Sequence, residues 1–191
     1  YINRQNNLNQ EFYFAHPITK FKVNNIYNTD FTGSPLWDFN CDSFERLGKT
    51  WNVSVRIMFD LPRTTHRYLI EPISEKPHIQ FTIMKRFLKF CEQLRTSKKS
   101  VLRSMISKCE KDTTTRTGHN LRTIMLLTNS CSLIQMNQTD ITSQTYKNIP
   151  DGEGWRVHLV KELIEARHDR NLLHEFSYDE IDDLVHLACT N

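Results

Sequence analysis

Apolar residues early in the chain recur every three and four positions, not every two. Phe44, Leu47, Trp51, Val55 and Met58 form one such stripe, with Glu45, Lys49, Asn52 and Arg56 off it; this is the spacing of an amphipathic helix. Asp42, with Glu45 three residues on, is placed to cap its start. Leu61-Pro62 ends it, because proline cannot continue the hydrogen-bond ladder. Pro77, a favourable first-turn residue, opens a second helix running to about Ser97 on the stripe Ile79, Ile83, Phe87, Phe90 and Leu94. A third uses Val101, Leu102, Met105, Ile106 and Cys109, and shorter helices are expected at Leu8–Ala15, Thr19–Asn28 and Asn120–Leu127.

Residues 128–154 break this periodicity. Asn, Gln, Ser and Thr dominate from Thr128 to Thr145, and Pro150-Asp151-Gly152-Glu153-Gly154 is turn chemistry. Beyond it, Trp155–Arg167 is amphipathic through Val157, Val160, Leu163 and Ile164. Ser177-Tyr178-Asp179-Glu180 reads as a capping box that opens a last helix, Tyr178–Ala188, with Phe176 and Ile181 placed as its hydrophobic staple. With no strand alternation anywhere, the pattern predicts an all-α protein of about seven to nine helices. It divides into a basic helical body at 1–127, a polar linker at 128–154 and an acidic helical hairpin at 155–191 that docks on the body or on a partner.

Composition narrows this further. The chain has 191 residues, 38% apolar, with 11 Phe, 6 Tyr and 3 Trp, enough to build the core of one domain with at most a small appendage. Only 5 Gly and 6 Pro argue against a turn-rich β-sandwich. The longest apolar run, Ile124–Leu127, is far short of the roughly 18 residues of a membrane span. Five scattered cysteines with no C-x-x-C point to a reducing compartment, cytoplasmic or nuclear, where the Asn52 and Asn137 glycosylation patterns are inert. Opening on Tyr1 without Met, the sequence reads as a segment of a longer protein.

The net charge of +3 conceals an asymmetry. Residues 1–125 hold 20 Lys+Arg against 11 Asp+Glu, and residues 126–191 hold 5 against 11. A basic body suits a polyanion partner. Between Arg63 and Arg122 the balance is 14 to 5. Arg63, His66 and Arg67 follow the Pro62 stop; Lys85, Arg86 and Lys89 are expected on the exposed side of the second helix; Lys98, Lys99 and Arg103 sit where the second and third helices meet. Cations on helix ends and one helix face supply the phosphate donors a nucleic-acid backbone needs. A merely solubilising surface is the plainer alternative. Trp51, Phe87 and Phe90 are expected in the core, while Trp37, after Gly33-Ser34-Pro35, is open between core and stacking.

Catalytic signatures are missing. No G-x-S-x-G, H-E-x-x-H, Walker A or G-x-G-x-x-G occurs, and the carboxylates of the basic half are isolated. Asp179, Asp182 and Asp183 are expected on a solvated helix face opposite Ile181 and Leu184. His174, His186 and Cys189 form the one tight ligand group but lack a fourth member for zinc. No enzyme activity, metal, cofactor, small-molecule substrate or membrane partner is expected of this chain.

Phe31-Thr32-Gly33-Ser34-Pro35-Leu36-Trp37-Asp38 resembles the (Y/F)-x-G-S-x-L-W-(D/N) segment found after the palm of LINE-type non-LTR retrotransposon reverse transcriptases. Glu45-Arg46-Leu47, Trp51-Asn52 and Arg56 follow at family-like distance. Leu61-Pro62-Arg63-Thr64-Thr65-His66-Arg67 looks like that family's L-P-x-x-T-H-R, and Arg86-Phe87-Leu88-Lys89-Phe90 its R-F-x-x-F. The likeness covers about residues 8–127; Trp155-Arg156, Lys161-Glu162-Leu163 and Cys189-Thr190 are similar to the ends of such reading frames.

This resemblance implies the thumb and C-terminal part of an RNA-directed DNA polymerase. The palm aspartates, the endonuclease and the Cys-His knuckle of some relatives have no counterpart here, so no catalytic residue carries over. The implied partners are RNA and DNA as a template–primer duplex, and the palm of the parent polyprotein. Arg63, His66, Arg67, Lys85, Lys89, Lys98, Lys99 and Arg103 are the expected phosphate contacts, with Arg86 open to an ion-pairing role and Thr65-His66 equally open to capping the next helix. The rival reading is a helical protein–protein interaction module, a domesticated remnant using the acidic 155–189 hairpin.

Overall fold

A computed structural model describes residue 7 and residues 10–28, 31–128, 150–169 and 176–190 of the chain. Among these residues all regular structure is helical: α1 (Pro17–Asn28), a 3-10 turn (Ser34–Leu36), α2 (Asp42–Met58), α3 (Arg67–Ser74), α4 (Ile79–Arg95), α5 (Ser100–Lys111), α6 (Arg116–Thr128), α7 (Gly154–His168) and α8 (Tyr178–Thr190). The protein is all-α, as the apolar spacing predicts. Of the helix expected at Leu8–Ala15, Leu8 and Asn9 lie outside the described residues, Gln10 and Glu11 are helical, and Phe12–Phe14 form a turn. Most of the 128–154 stretch is likewise outside.

The chain forms two compact units that are not successive in sequence. One takes residues 1–30, 50–76 and 146–191; the other takes 31–49 and 77–145. The division falls within α2, whose residues 42–49 belong to the second unit.

In the first unit Phe21 of α1 meets Trp51 and Phe59 edge-on, with ring centroids 6.2 and 5.7 Å apart. Leu69, Ile70 and Ile73 of α3, Val157, Val160 and Ile164 of α7, and Ile181, Val185, Ala188 and Cys189 of α8 complete its core. Each large apolar side chain so buried contributes about 1.5–3 kcal/mol. Helices α7 and α8 pack on each other and α7 packs on α3, so the C-terminal hairpin docks on the body. Arg167 fastens this corner: it pairs with Asp182 of α8, and its Nη1 donates to the Asp60 carbonyl at 3.1 Å.

In the second unit Phe39 stacks on Phe44 at 4.9 Å and meets Phe87 edge-on at 5.2 Å. Ile79, Ile83, Met84, Phe87 and Cys91 of α4 face Ile106 of α5 and Leu121 and Ile124 of α6 in one apolar interior. Gly33, in the left-handed region at φ 76°, turns the chain into the 3-10 turn, and Ser34 behind it is fully buried.

Several local expectations are corrected. The first bonds of α2 run from Phe44 and Glu45 N–H to the Cys41 carbonyl, which makes Asp42 the first helical residue and not the cap. Pro77 precedes α4: His78 is the N-cap, its Nδ1 accepting from Gln80 N–H at 3.4 Å. Asn52, expected outside the stripe, is buried, and Arg56 is drawn in by the 2.7 Å bond from Nη2 to the Thr65 carbonyl. Phe90 is half-buried, not core. Leu184 is exposed because Val185 takes the inner position.

Candidate nucleic-acid interface

The eight expected phosphate contacts fall in two groups, one in each unit. Arg63, His66 and Arg67 belong to the first; Lys85, Lys89, Lys98, Lys99 and Arg103 belong to the second.

The first group sits on a rigid turn. Thr65 is buried, its hydroxyl donates to the Pro62 carbonyl at 2.7 Å, and its own carbonyl accepts from Arg56. His66 is the N-cap of α3 without a side-chain capping bond. Its backbone N–H donates to the Cys189 carbonyl at 3.1 Å, and its ring stacks on Tyr68 with centroids 5.4 Å apart. Thr65 is therefore a structural residue of the turn, and His66 is tied down through its backbone. Arg63 and Arg67 are exposed. Arg67 also has a neighbour one turn on: burial raises the Glu71 carboxyl to about 7, while the Arg67 charge opposes that rise. Glu71 Oε2 is buried with no hydrogen-bond partner among the described residues.

The second group lies on the α4–α5 hairpin. Helix α4 buries the face bearing Ile83, Phe87 and Cys91, which leaves Lys89 exposed. Lys85, one turn earlier, is half-buried instead of exposed, and desolvation holds its ammonium below the usual lysine range. Arg86 is half-buried as well. Glu92 is exposed near Lys89, so the α4 side of the hairpin is of mixed sign.

The turn and α5 are different. Lys98, Lys99 and Arg103 are exposed, and Arg103 Nη1 donates to the Ser97 carbonyl at 2.6 Å, which sets its guanidinium at the turn. Helix α5 buries only Ile106, so most of its surface faces solvent. That surface carries two further exposed cations that the sequence reading did not single out, Lys108 and Lys111 in the last turn. The signal that finds them is the burial of a single stripe residue, because it frees the opposite face. Glu110, the one carboxylate between Thr96 and Lys111, is paired with Arg95 of α4. At 1.5 Å per residue α5 is about 18 Å long, so its two cationic ends span about five nucleotides at roughly 3.4 Å of duplex axis each.

Elsewhere the candidate chemistry disperses. Of the group His174, His186 and Cys189, His174 lies outside the described residues, His186 is exposed and Cys189 is fully buried. Among the described residues no three His, Cys, Asp or Glu side chains gather in a way that could hold a metal. Cys41, Cys91, Cys109 and Cys189 are free thiols, and burial pushes Cys91 up to about 12. Trp37 is half-buried against Phe31, with ring centroids 5.4 Å apart. Among the described residues no helix is long and apolar enough to cross a membrane. No known protein family, curated protein or solved structure matches the chain.

Proposed function

We propose that this chain is a non-catalytic nucleic-acid-binding segment of a LINE-type non-LTR reverse transcriptase, gripping the template–primer duplex through its phosphates. The observation that carries the reading is the outer surface of α5 and the turn before it. Five exposed cations, Lys98, Lys99, Arg103, Lys108 and Lys111, stand there with the only carboxylate of that stretch tied to Arg95. The resemblance of residues 31–38, 61–67 and 86–90 to segments that follow the palm supplies the biological frame.

A grip of this kind contacts phosphate and sugar and reads no base edges. Its affinity falls with salt and is alike for unrelated sequences. A-form duplexes suit it, because their narrow major groove excludes side chains and leaves backbone and 2′-hydroxyls as the accessible features. Catalysis belongs on this reading to a palm elsewhere in the parent protein.

The test is fluorescence anisotropy of the chain with a labelled RNA–DNA hybrid across a salt series. Sequence-tolerant binding whose log affinity falls steeply with log salt supports the grip. A folded chain that binds no hybrid at low salt overturns it for this segment.

A further inference from the structure

Two helices of this chain present outward stripes that complement each other. On α8, Leu184 and Leu187 are 39% and 56% exposed. Glu180, Asp183, Leu184 and Leu187 follow the i, i+3, i+4, i+7 spacing and so share one face. That face is apolar at its C-terminal end and acidic at its N-terminal end. Asp182 is engaged by Arg167 and the Glu180 carboxylate accepts from Ser177 N–H and Oγ, while no ion pair reaches Asp183 among the described residues. On α5, Val101 and Met105 are 66% and 58% exposed. Val101, Ser104, Met105 and Lys108 have the same spacing, with Lys111 one turn further, and Lys98 lies in the bend just before the helix.

We infer that these stripes are the two halves of one self-recognition contact, in which α8 of one copy lies antiparallel along α5 of the next. In that register Leu187 meets Val101, Leu184 meets Met105, and Asp183 and Glu180 face Lys108 and Lys111. Lys98 then falls at the C-terminal end of α8, where the helix dipole favours a cation. A parallel register would set the carboxylates over Val101 and the leucines over Lys108, so charge and burial both select the antiparallel one. The contact is heterologous: each copy offers one acidic-apolar and one basic-apolar surface, and association continues from copy to copy until a ring closes. Two helical stripes bury less than a standard interface of about 1,600 Å², so the association is weak and concentration-dependent. It is independent of the duplex reading, although a duplex on α5 would compete with it.

The test is sedimentation of the full chain without nucleic acid, at concentrations up to about 0.5 mM, as a contact below about 1,200 Å² requires. The expected result is association that weakens as salt shortens the Debye length from about 10 Å at 0.1 M to about 3 Å at 1 M. Met105→Asp and Leu184→Asp are both surface substitutions, checked for folding by circular dichroism. Each alone should weaken association by about tenfold or more. Mixed together they should form a dimer and stop, because the intact α8 of the first fits the intact α5 of the second. A wild-type chain that stays monomeric overturns the proposal. So does association that survives either substitution, or a mixture that remains monomeric.

Discussion

Asn120 holds Trp37 by its backbone: the Asn120 side-chain N–H donates to the Trp37 carbonyl at 2.6 Å. The same amide accepts from Phe39 N–H through Oδ1 at 3.0 Å. One buried side chain thus satisfies both polar groups of an irregular strip that no helix or sheet ladder serves. Asn120→Ala leaves a buried N–H and a buried carbonyl unpaired, at about 1–3 kcal/mol each. Urea denaturation should show the second unit destabilised by about 2–6 kcal/mol. A loss within about 0.5 kcal/mol, the range of ordinary surface substitutions, would mean the amide is not what fixes this strip.

Gly118 of α6 lies against the backbone at the C-terminal end of α5. A Cβ there would lie under 3.0 Å from the carbonyl oxygens of Asp112 and Cys109, and backbone cannot rotate aside as a side chain can. Gly118→Ala should therefore destabilise by about 2–3 kcal/mol or more, although alanine is the better helix former by about 1 kcal/mol. Differential scanning calorimetry would read this as a lower Tm. An unchanged or raised Tm would show that the junction opens freely.

Glu71 makes the first unit sensitive to pH. Its folded pKa of about 7 lies above the ordinary 4.5, so the folded state binds the proton more tightly than the unfolded chain. The stability it contributes is fully present below about pH 4.5 and is lost as pH rises through about 7. Glu71→Gln removes the titration and should leave the protein about 2 kcal/mol more stable than the parent at pH 8. That is below the full 1.36 kcal/mol per unit because the carboxyl is partly exposed. At pH 4 the two should be nearly equal. Arg67→Ala, which removes the opposing charge, should move the transition to higher pH. Parallel stability curves for parent and Glu71→Gln would refute the assignment.

On the duplex reading, the exposure of the cations ranks their expected contributions. Lys98→Ala, Lys99→Ala and Lys108→Ala together should lower hybrid affinity evenly across sequences and flatten the salt slope by about three, roughly one per phosphate contact. Lys85→Ala and Lys89→Ala, expected from the sequence alone to remove about two, should remove only about one, because Lys85 is half-buried. A loss of about two would mean that Lys85 reaches the duplex after all.

The capping box was fully legible. Ser177 N–H and Oγ donate to Glu180 at 2.8 and 2.9 Å, and Glu180 N–H returns a 3.3 Å bond to Ser177 Oγ, as the four-residue spacing demands. The partnering staple was legible only in half: Ile181 is buried, Phe176 is exposed. Helix α3 is not legible from the pattern because Pro72 lies within it, and its eight residues are too few for periodicity to outweigh a breaker. Of the candidate site, the charge run from Arg63 to Arg122 was visible at once. Which cations stand clear was not, since that depends on how little of α5 is buried. The motif residues Thr65 and Ser34 also proved to be buried.

Synthesis must reach Cys189 before the first unit can close. Asp60 accepts from Arg167 across 107 residues of sequence, and the His66 turn is completed only by Cys189. At about 5–20 residues per second, Cys189 follows Asp60 by roughly six to twenty-six seconds. The residues of the second unit, 31–49 and 77–145, have all been made by then. The buried apolar residues of α3, Leu69, Ile70 and Ile73, meanwhile wait without their α7 cover, which is the condition under which nascent chains recruit a chaperone.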